Sequence, residues 1–291
     1  MPRLGFACAL LALAAFVAGQ TLTPSSTSAP PLDYVCPMHP DIRSAVSGKC
    51  PRCGMTLIPS IRELVEYPLE LSLAPRARWA GEAAGLTFRV RDPKTGAPVT
   101  EFETVHEKRF HLFIVSQDLE YFAHEHPARE GGGAFRYTAH LPNPGMYRVL
   151  ADYFPSRGTP QLTVKTIFVA GGSLKTAIIE PDLAAKRSEN MNVELATEPA
   201  RPIAGSKTLL LARISPADGF EQYLGAWGHM LVASDDLIDL IHTHPFLADG
   251  GPEIEFSVIF PRARMYRLWI QFQRKGVVNT SVFTIPVAVL E

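Results

Sequence analysis

Beyond Cys53 the chain has no cysteine, and its four stand at positions 8, 36, 50 and 53 of 291 residues. A disulfide framework is thereby excluded for the main body, which must rest on packing alone. Charge of one sign is also missing. Twenty-eight basic and 29 acidic residues leave a net charge of −1, so there is no basic field to hold nucleic acid or an anionic membrane. After residues 1–19 no stretch approaches ~20 continuous apolar residues, so no membrane helix is expected in the mature chain. Helical periodicity is scarce as well. What the chain does have is 25 prolines, above the typical ~5%, and 21 glycines, which together indicate many turns. A hydrophobic share of 46% and a charged share of 20% fit a folded globular protein, and the length suggests about two domains at ~150 residues each.

The start of the chain reads as an export signal. Met1, Pro2 and Arg3 form a short basic head, residues 4–18 are apolar but too short to span a bilayer comfortably, and Ala18-Gly19 precede polar Gln20-Thr21. Residues 1–19 are therefore expected to be a signal peptide cleaved near Gly19, and the mature protein to be exported, periplasmic or envelope-associated. Cys8 lies inside the apolar run rather than after it, which argues against a lipoprotein. Residues 20–33, rich in Ser, Thr and Pro, read as a linker. Three cysteines then remain and cannot all pair within one chain, so a thiolate metal site is the better reading.

Those three sit in one short segment, residues 34–60. Tyr34-Val35-Cys36-Pro37-Met38-His39-Pro40 is followed by Gly48-Lys49-Cys50-Pro51-Arg52-Cys53-Gly54-Met55-Thr56-Leu57. A C-x-x-C turn aims two sulfurs at one ion, and Cys36 with His39 can supply a third and fourth ligand. So short a segment buries too little apolar surface to fold unaided, so a bound ion would hold it together. The thioethers of Met38 and Met55 tilt the preference from Zn(II) toward Cu(I) or Ag(I). The segment resembles, nearly position for position, the small heavy-metal-binding domain Y-x-C-P-M-H-P…G-x-C-P-x-C-G-M-x-L. That domain occurs at the termini of copper P-type ATPases and of copper/silver efflux adaptors. The resemblance implies heavy-metal binding with Cys36, Cys50 and Cys53 as ligands; Ser47 departs from the proline common before the central glycine. A structural zinc knuckle, or a Cys50–Cys53 disulfide with Cys36 free, are the plainer alternatives. Nothing after residue 60 reads as an adaptor's helical hairpin or as ATPase spans.

The rest of the chain is strand-like. Residues 69–73 and 86–90 alternate, 111–115 form a mostly buried-type run, and 146–150 and 163–169 complete the set; only 181–187 looks briefly helical. The expected fold is mainly β: a small metal-binding knuckle followed by two tandem immunoglobulin-like β-sandwich domains. Pro144-Gly145-Met146-Tyr147 resembles the turn and tyrosine entering a late strand of immunoglobulin-like domains. The body is duplicated, since residues 111–127 align without gaps on 229–245 at an offset of 118, and Met146-Tyr147-Arg148 matches Met265-Tyr266-Arg267 after a one-residue shift. The sandwiches are placed at 62–172 and 190–291, joined by a linker at 173–189.

Identity between the two copies falls on His, Ser, Asp, Leu, His, His and Pro, so all three histidines recur. If Gln117-Asp118 form a tight two-residue hairpin, cross-strand partners sum to 235 and His111 lies opposite His124, with His126 on the same face. The second repeat brings His229, His242 and His244 together in the same way about Asp235-Asp236. Three neutral imidazoles suit Cu(II), Zn(II) or Ni(II). No acid or base recurs beside them, as Glu125 becomes Thr243, and Asp118 and Asp236 are assigned to capping the turn. His106 and His140 lack counterparts and are assigned to the surface. The plainer reading is that H-x-H-P fixes a strand end, with the histidines bonded to backbone carbonyls. The expected function is exported heavy-metal binding, with copper first and silver or zinc as alternatives, in periplasmic sequestration or transfer. The expected partners are metal ions and a metal efflux or delivery protein. The cysteines would take Cu(I) or Ag(I), and the histidines Cu(II) or Zn(II). The rivals are a small copper oxidase or zinc hydrolase using a triad, and a cell-envelope interaction module with structural histidines.

Overall fold

The computed structural model describes residues 32–35, 43–49, 51, 56–61, 65–75, 79–156, 158, 161–173, 175–245 and 248–290. The chain divides into two compact units, Met1–Leu64 and Val65–Glu291. In the first, strands β1 (Leu32–Val35), β2 (Arg43–Ser44) and β3 (Ile58–Ile61) form an antiparallel sheet in the order β2-β1-β3. Lys49 bridges Thr56, and the Leu57 N–H donates to the Gly48 carbonyl at 2.9 Å. The expected signal peptide lies outside the described residues, as do Cys36, Met38, His39, Cys50, Cys53 and Met55.

The second unit contains both repeats. Repeat 1 runs β4 (Leu69–Ala74), β5 (Ala83–Val90), β6 (Phe110–Ser116), β7 (Phe122–Glu125), β8 (Ala128–Arg129), β9 (Phe135–His140), β10 (Gly145–Tyr153) and β11 (Gln161–Val169). Two four-stranded antiparallel sheets result, β4-β5-β9-β8 and β11-β10-β6-β7, the strand order of an immunoglobulin- or fibronectin-like sandwich. Repeat 2 runs β12 (Lys186–Arg187), β13 (Asn192–Glu198), β14 (Lys207–Ser215), β15 (Phe220–Glu221), β16 (His229–Ser234), β17 (Leu240–Thr243), β18 (Glu253–Ile259), β19 (Met265–Arg274) and β20 (Val277–Pro286). Its sheets are β12-β13-β14-β18 and β15-β19-β16-β17, with β20 on β19. The only helix among the described residues is a 3₁₀ turn at Gly131–Gly133, and none there is long and apolar enough to cross a membrane.

Each sandwich forms because its outer strands alternate. In β5, Ala84, Leu86, Phe88 and Val90 are buried while their neighbours are not, and β14 behaves likewise. One face of such a strand meets the core and the other meets water. Tyr147 and Tyr266 are fully buried at equivalent positions. The Tyr147 hydroxyl donates to the Asn143 carbonyl at 2.7 Å; that of Tyr266 lies 3.0 Å from the Arg262 carbonyl and 2.7 Å from Asp239 Oδ2. The helix expected over 181–187 does not form. Asp182 pairs instead with Thr284 through two backbone hydrogen bonds, and Lys186–Arg187 pair with Val193 and Asn192. Edge pairing of the connecting segment thus overrides its weak helical propensity.

Strands β6 and β16 do not alternate, since every residue of both is buried. Their second face is covered by the other repeat. Phe113, Val115, Leu119 and Leu150 of repeat 1 pack on Leu231, Ala233, Leu237 and Trp269 of repeat 2, with Ile179 of the connecting segment. These four pairs are sequence-equivalent under the duplication. The contact is reciprocal in its polar groups too. Arg148 Nε donates to the Leu237 carbonyl at 3.1 Å, and Arg267 Nη1, its equivalent, donates to the Leu119 carbonyl at 3.0 Å. The repeats are therefore packed face to face about an approximate two-fold axis.

Candidate metal centre

The histidine hairpins lie on this shared face. The ladder pairs Phe113 with His124 and Leu112 with Glu125, and Leu231 with His242 and Met230 with Thr243. Partners in repeat 1 sum to 237, not to the expected 235, so His111 does not lie opposite His124. The turn is longer than two residues. The Ser116 N–H donates to the Tyr121 carbonyl at 3.1 Å, leaving four residues in the loop. Leu119 and Leu237 stand at φ 61° and 54°, which turns each inward to the inter-repeat core. Asp118 and Asp236 hold the loops. Asp118 Oδ1 accepts from the Ser116 hydroxyl (2.5 Å) and the Glu120 N–H (3.2 Å), and Asp236 Oδ1 from Ser234 (2.6 Å) and Ile238 (3.2 Å). The register differs by two residues from the expected one. A slip of two preserves the face on which every side chain lies, where a slip of one would reverse it.

The three imidazoles of each repeat do converge. Nitrogen atoms of His111, His124 and His126 lie within 4.8 Å of one another, as do those of His229, His242 and His244. The tautomers follow from the outer partners. His111 Nε2 lies 3.0 Å from the Val105 carbonyl, an acceptor only, so this nitrogen carries the proton and Nδ1 faces His124 (3.3 Å) and His126 (3.2 Å) as a lone pair. Gln271 Nε2 donates to Thr280 Oγ1 at 3.1 Å, which turns its Oε1 to His124 Nδ1 at 2.7 Å. His124 therefore presents Nε2 as a lone pair. Repeat 2 matches: His229 Nε2 donates to the Tyr223 carbonyl (2.9 Å), leaving Nδ1 facing His244 Nε2 at 3.0 Å. His242 Nδ1 donates to Asp152 Oδ2 at 2.7 Å, and its Nε2 is buried with no hydrogen-bond partner among the described residues. A buried nitrogen left without a donor among converging lone pairs fits a bound cation.

Burial favours the neutral form of five of these rings. Desolvation is the main cause that lowers His126 to about 4, His229 to about 3 and His244 to about 2, and it pushes His124 further down and lowers His111. Neutral imidazole is the metal-binding form. His126 also lines an open cavity of about 340 Å³ beside Glu107, Lys108 and Arg109.

Three participants escaped the sequence reading. His106 is no surface histidine: its half-buried ring lies 3.8 Å from that of His244 at a tilt of 31° and meets His229 edge-on at 5.5 Å, and burial lowers its pKa. It stands at φ 48° beside Glu107 at 62°, in a turn closed by Val105 and Lys108. The equivalent turn holds Leu224 and Gly225, so the duplication gave no cue. Asp152 and Gln271 are the others. A polar residue at the equivalent place in each late strand, paired with His111 or His229, was the available signal, yet each serves the opposite repeat's triad. His140 is exposed, as expected.

Two family models match the chain. Residues 34–60 match the Heavy metal binding domain, and residues 65–170 and 186–289 match the Domain of unknown function DUF8832. A Copper-exporting P-type ATPase of Legionella pneumophila is 50% identical over 40 residues, 14% of this chain and 5% of that protein's length. Among solved structures, the Escherichia coli adhesin FdeC is 14% identical, covering 81% of this chain and 71% of that one at a TM-score of 0.28. A two-domain fibronectin type-III segment of chicken tenascin is 11% identical, covering 76% and 99% at 0.24. Likeness at that level adds nothing to the strand order, on which the fold rests. Over most of its length the chain belongs to the family described as Domain of unknown function (DUF8832), two copies in tandem behind a heavy metal binding domain.

Proposed function

We propose that this is an exported heavy-metal-binding protein that sequesters or hands over copper in the periplasm. The cysteine segment takes the soft monovalent ion through Cys36, Cys50 and Cys53, and the two histidine triads take divalent copper or zinc. The observation that carries the reading is the orientation of the six imidazoles. Four of them, His111, His124, His229 and His242, have one nitrogen tied to a carbonyl or carboxyl/amide oxygen and turn the other to a common centre. Histidines that merely fixed strand ends would have no reason to leave His242 Nε2 buried and unpartnered. The match of residues 34–60 to a heavy metal binding domain supports the same chemistry, and the likeness to a copper-exporting ATPase favours copper within it.

The test is elemental analysis and metal titration of the purified mature chain, reduced. About three equivalents of copper are expected, from one cysteine site and two triads. Cys50→Ser should remove one equivalent, and His124→Ala with His242→Ala should remove two. A single equivalent that vanishes with Cys50→Ser would dismiss the triads as metal sites. Copper-dependent oxidation of a phenol, lost with the two histidines, would replace sequestration by catalysis.

A further inference from the structure

The geometry points to the two triads being halves of a single dinuclear centre whose sites are unequal. The half made by His229, His242 and His244 fills first and holds its ion more tightly, and the half made by His111, His124 and His126 fills second. This rests on the reading of the triads as metal sites and adds their coupling and order.

The first support is proximity. Ring centroids within a triad are 4.6–6.0 Å apart. Across the two-fold, His124 and His229 are 5.4 Å apart, His111 and His242 6.1 Å, and His111 and His229 6.3 Å. The closest pair across the triads, His124 and His229, is thus nearer than the widest pair inside one, and the others exceed that pair by at most 0.3 Å. Phe113 lies 4.2 Å from His124 and 4.6 Å from His242 and walls both. Two cations in such a site feel each other, so the second enters against the charge of the first.

The second support is the exchange of orienting groups. His124 of repeat 1 is held by Gln271 of repeat 2, and His242 of repeat 2 by Asp152 of repeat 1. Each half is therefore completed by the other repeat. These two positions correspond under the duplication, as Asp152 pairs with His111 and Gln271 with His229. They differ in chemistry. A carboxylate behind a ligating imidazole raises its basicity and offsets cation charge, whereas a neutral amide only fixes the ring. The six ligands are the same residue type, so this difference sets which half binds first. His106, whose ring lies against that of His244 and has no equivalent in repeat 2, further encloses the half that fills first.

Asp152 and Gln271 are positioning residues, and the test reads metal rather than fold. Cu(II) is titrated into the full chain carrying Cys36→Ser, Cys50→Ser and Cys53→Ser, so that thiols neither reduce nor compete for it, and followed by electron paramagnetic resonance. One equivalent should give an isolated signal with imidazole nitrogen couplings. The second should bind at least ~10-fold more weakly, and the signal should broaden or fall through coupling between the ions. Asp152→Asn should weaken the first step by roughly 10–100-fold, the usual effect of losing such a partner, and bring the two steps together. Gln271→Glu should tighten the second step. A signal that simply doubles at two equivalents, with affinities unmoved by either variant, would overturn the dinuclear centre and leave the triads standing as separate sites. Absence of nitrogen-coupled copper altogether would instead remove the metal reading on which this rests.

Discussion

Phe113→Ala tests the packing of the two repeats and the histidine centre together. Phe113 is 1% exposed and faces outward from β6 into the inter-repeat core. Its ring stacks on His124 at 4.2 Å and 18°, and meets His242 of the other repeat at 4.6 Å. Truncating a buried phenylalanine costs about 3–5 kcal/mol, the spread reflecting how far the site collapses. Here β6 is held by ladders to β10 on one side and β7 on the other, so little collapse is available and about 4 kcal/mol is expected. That is a large part of the ~5–15 kcal/mol a domain has in hand. Phe113→Leu keeps most of the volume and should cost only about 1 kcal/mol. Urea unfolding of the metal-free chain, followed by tryptophan fluorescence, reads both numbers. A loss below ~1 kcal/mol for Phe113→Ala, or two unfolding transitions already present in the unmodified chain, would refute the packing of the repeats through this face.

Acid should destabilise the metal-free protein. An unfolded histidine titrates near ~6.5, whereas burial holds His229 at about 3 and His124 lower still. Below pH 6.5 the unfolded chain therefore takes up protons that the folded chain refuses. The stability due to these two neutral rings is complete above that pH and is lost as pH falls, at ~1.4 kcal/mol per unit each, or roughly 3 kcal/mol between pH 6 and pH 5. Denaturant midpoints that stay level from pH 7 to pH 5 would contradict it. Saturating the triads with Zn(II) at about a hundred times the dissociation constant should add ~2.7 kcal/mol per site; calorimetry should find no gain in the His124→Ala, His242→Ala chain. Tyr266→Phe should cost more than Tyr147→Phe, roughly 2 against 1 kcal/mol, because Tyr266 also bonds the Asp239 carboxylate. Equal losses would show that the carboxylate contact contributes nothing.

Most of the fold could be read from the chain itself. Alternation located β4 and β5 because each has one wet face, and the duplication announced two sandwiches. The convergence of the histidines survived a wrong turn length because the slip was even; Leu119 at a left-handed φ, which lengthens the loop, left no mark in the residue types. What could not be read was the face-to-face contact of the repeats. Its polar partners are 90 residues apart in His242–Asp152 and 147 apart in His124–Gln271, beyond any local pattern. A cue did exist: residues 111–115 form a buried-type run where a sheet with one solvated side would alternate. Read as evidence of a covered outer face, it would have led to the second repeat and to His106.

The reciprocal interface carries a consequence for how such a centre can diversify. Were the two repeats separate identical chains in a symmetric dimer, any change behind one set of imidazoles would be copied behind the other. Covalent linkage releases that constraint. With both copies encoded in one chain, a carboxylate at position 152 and an amide at position 271 can coexist, while six histidines and a pair of left-handed leucines keep the inherited two-fold. Under the proposed function each half could then change its affinity through a residue on the opposite sandwich, with all six histidines left in place.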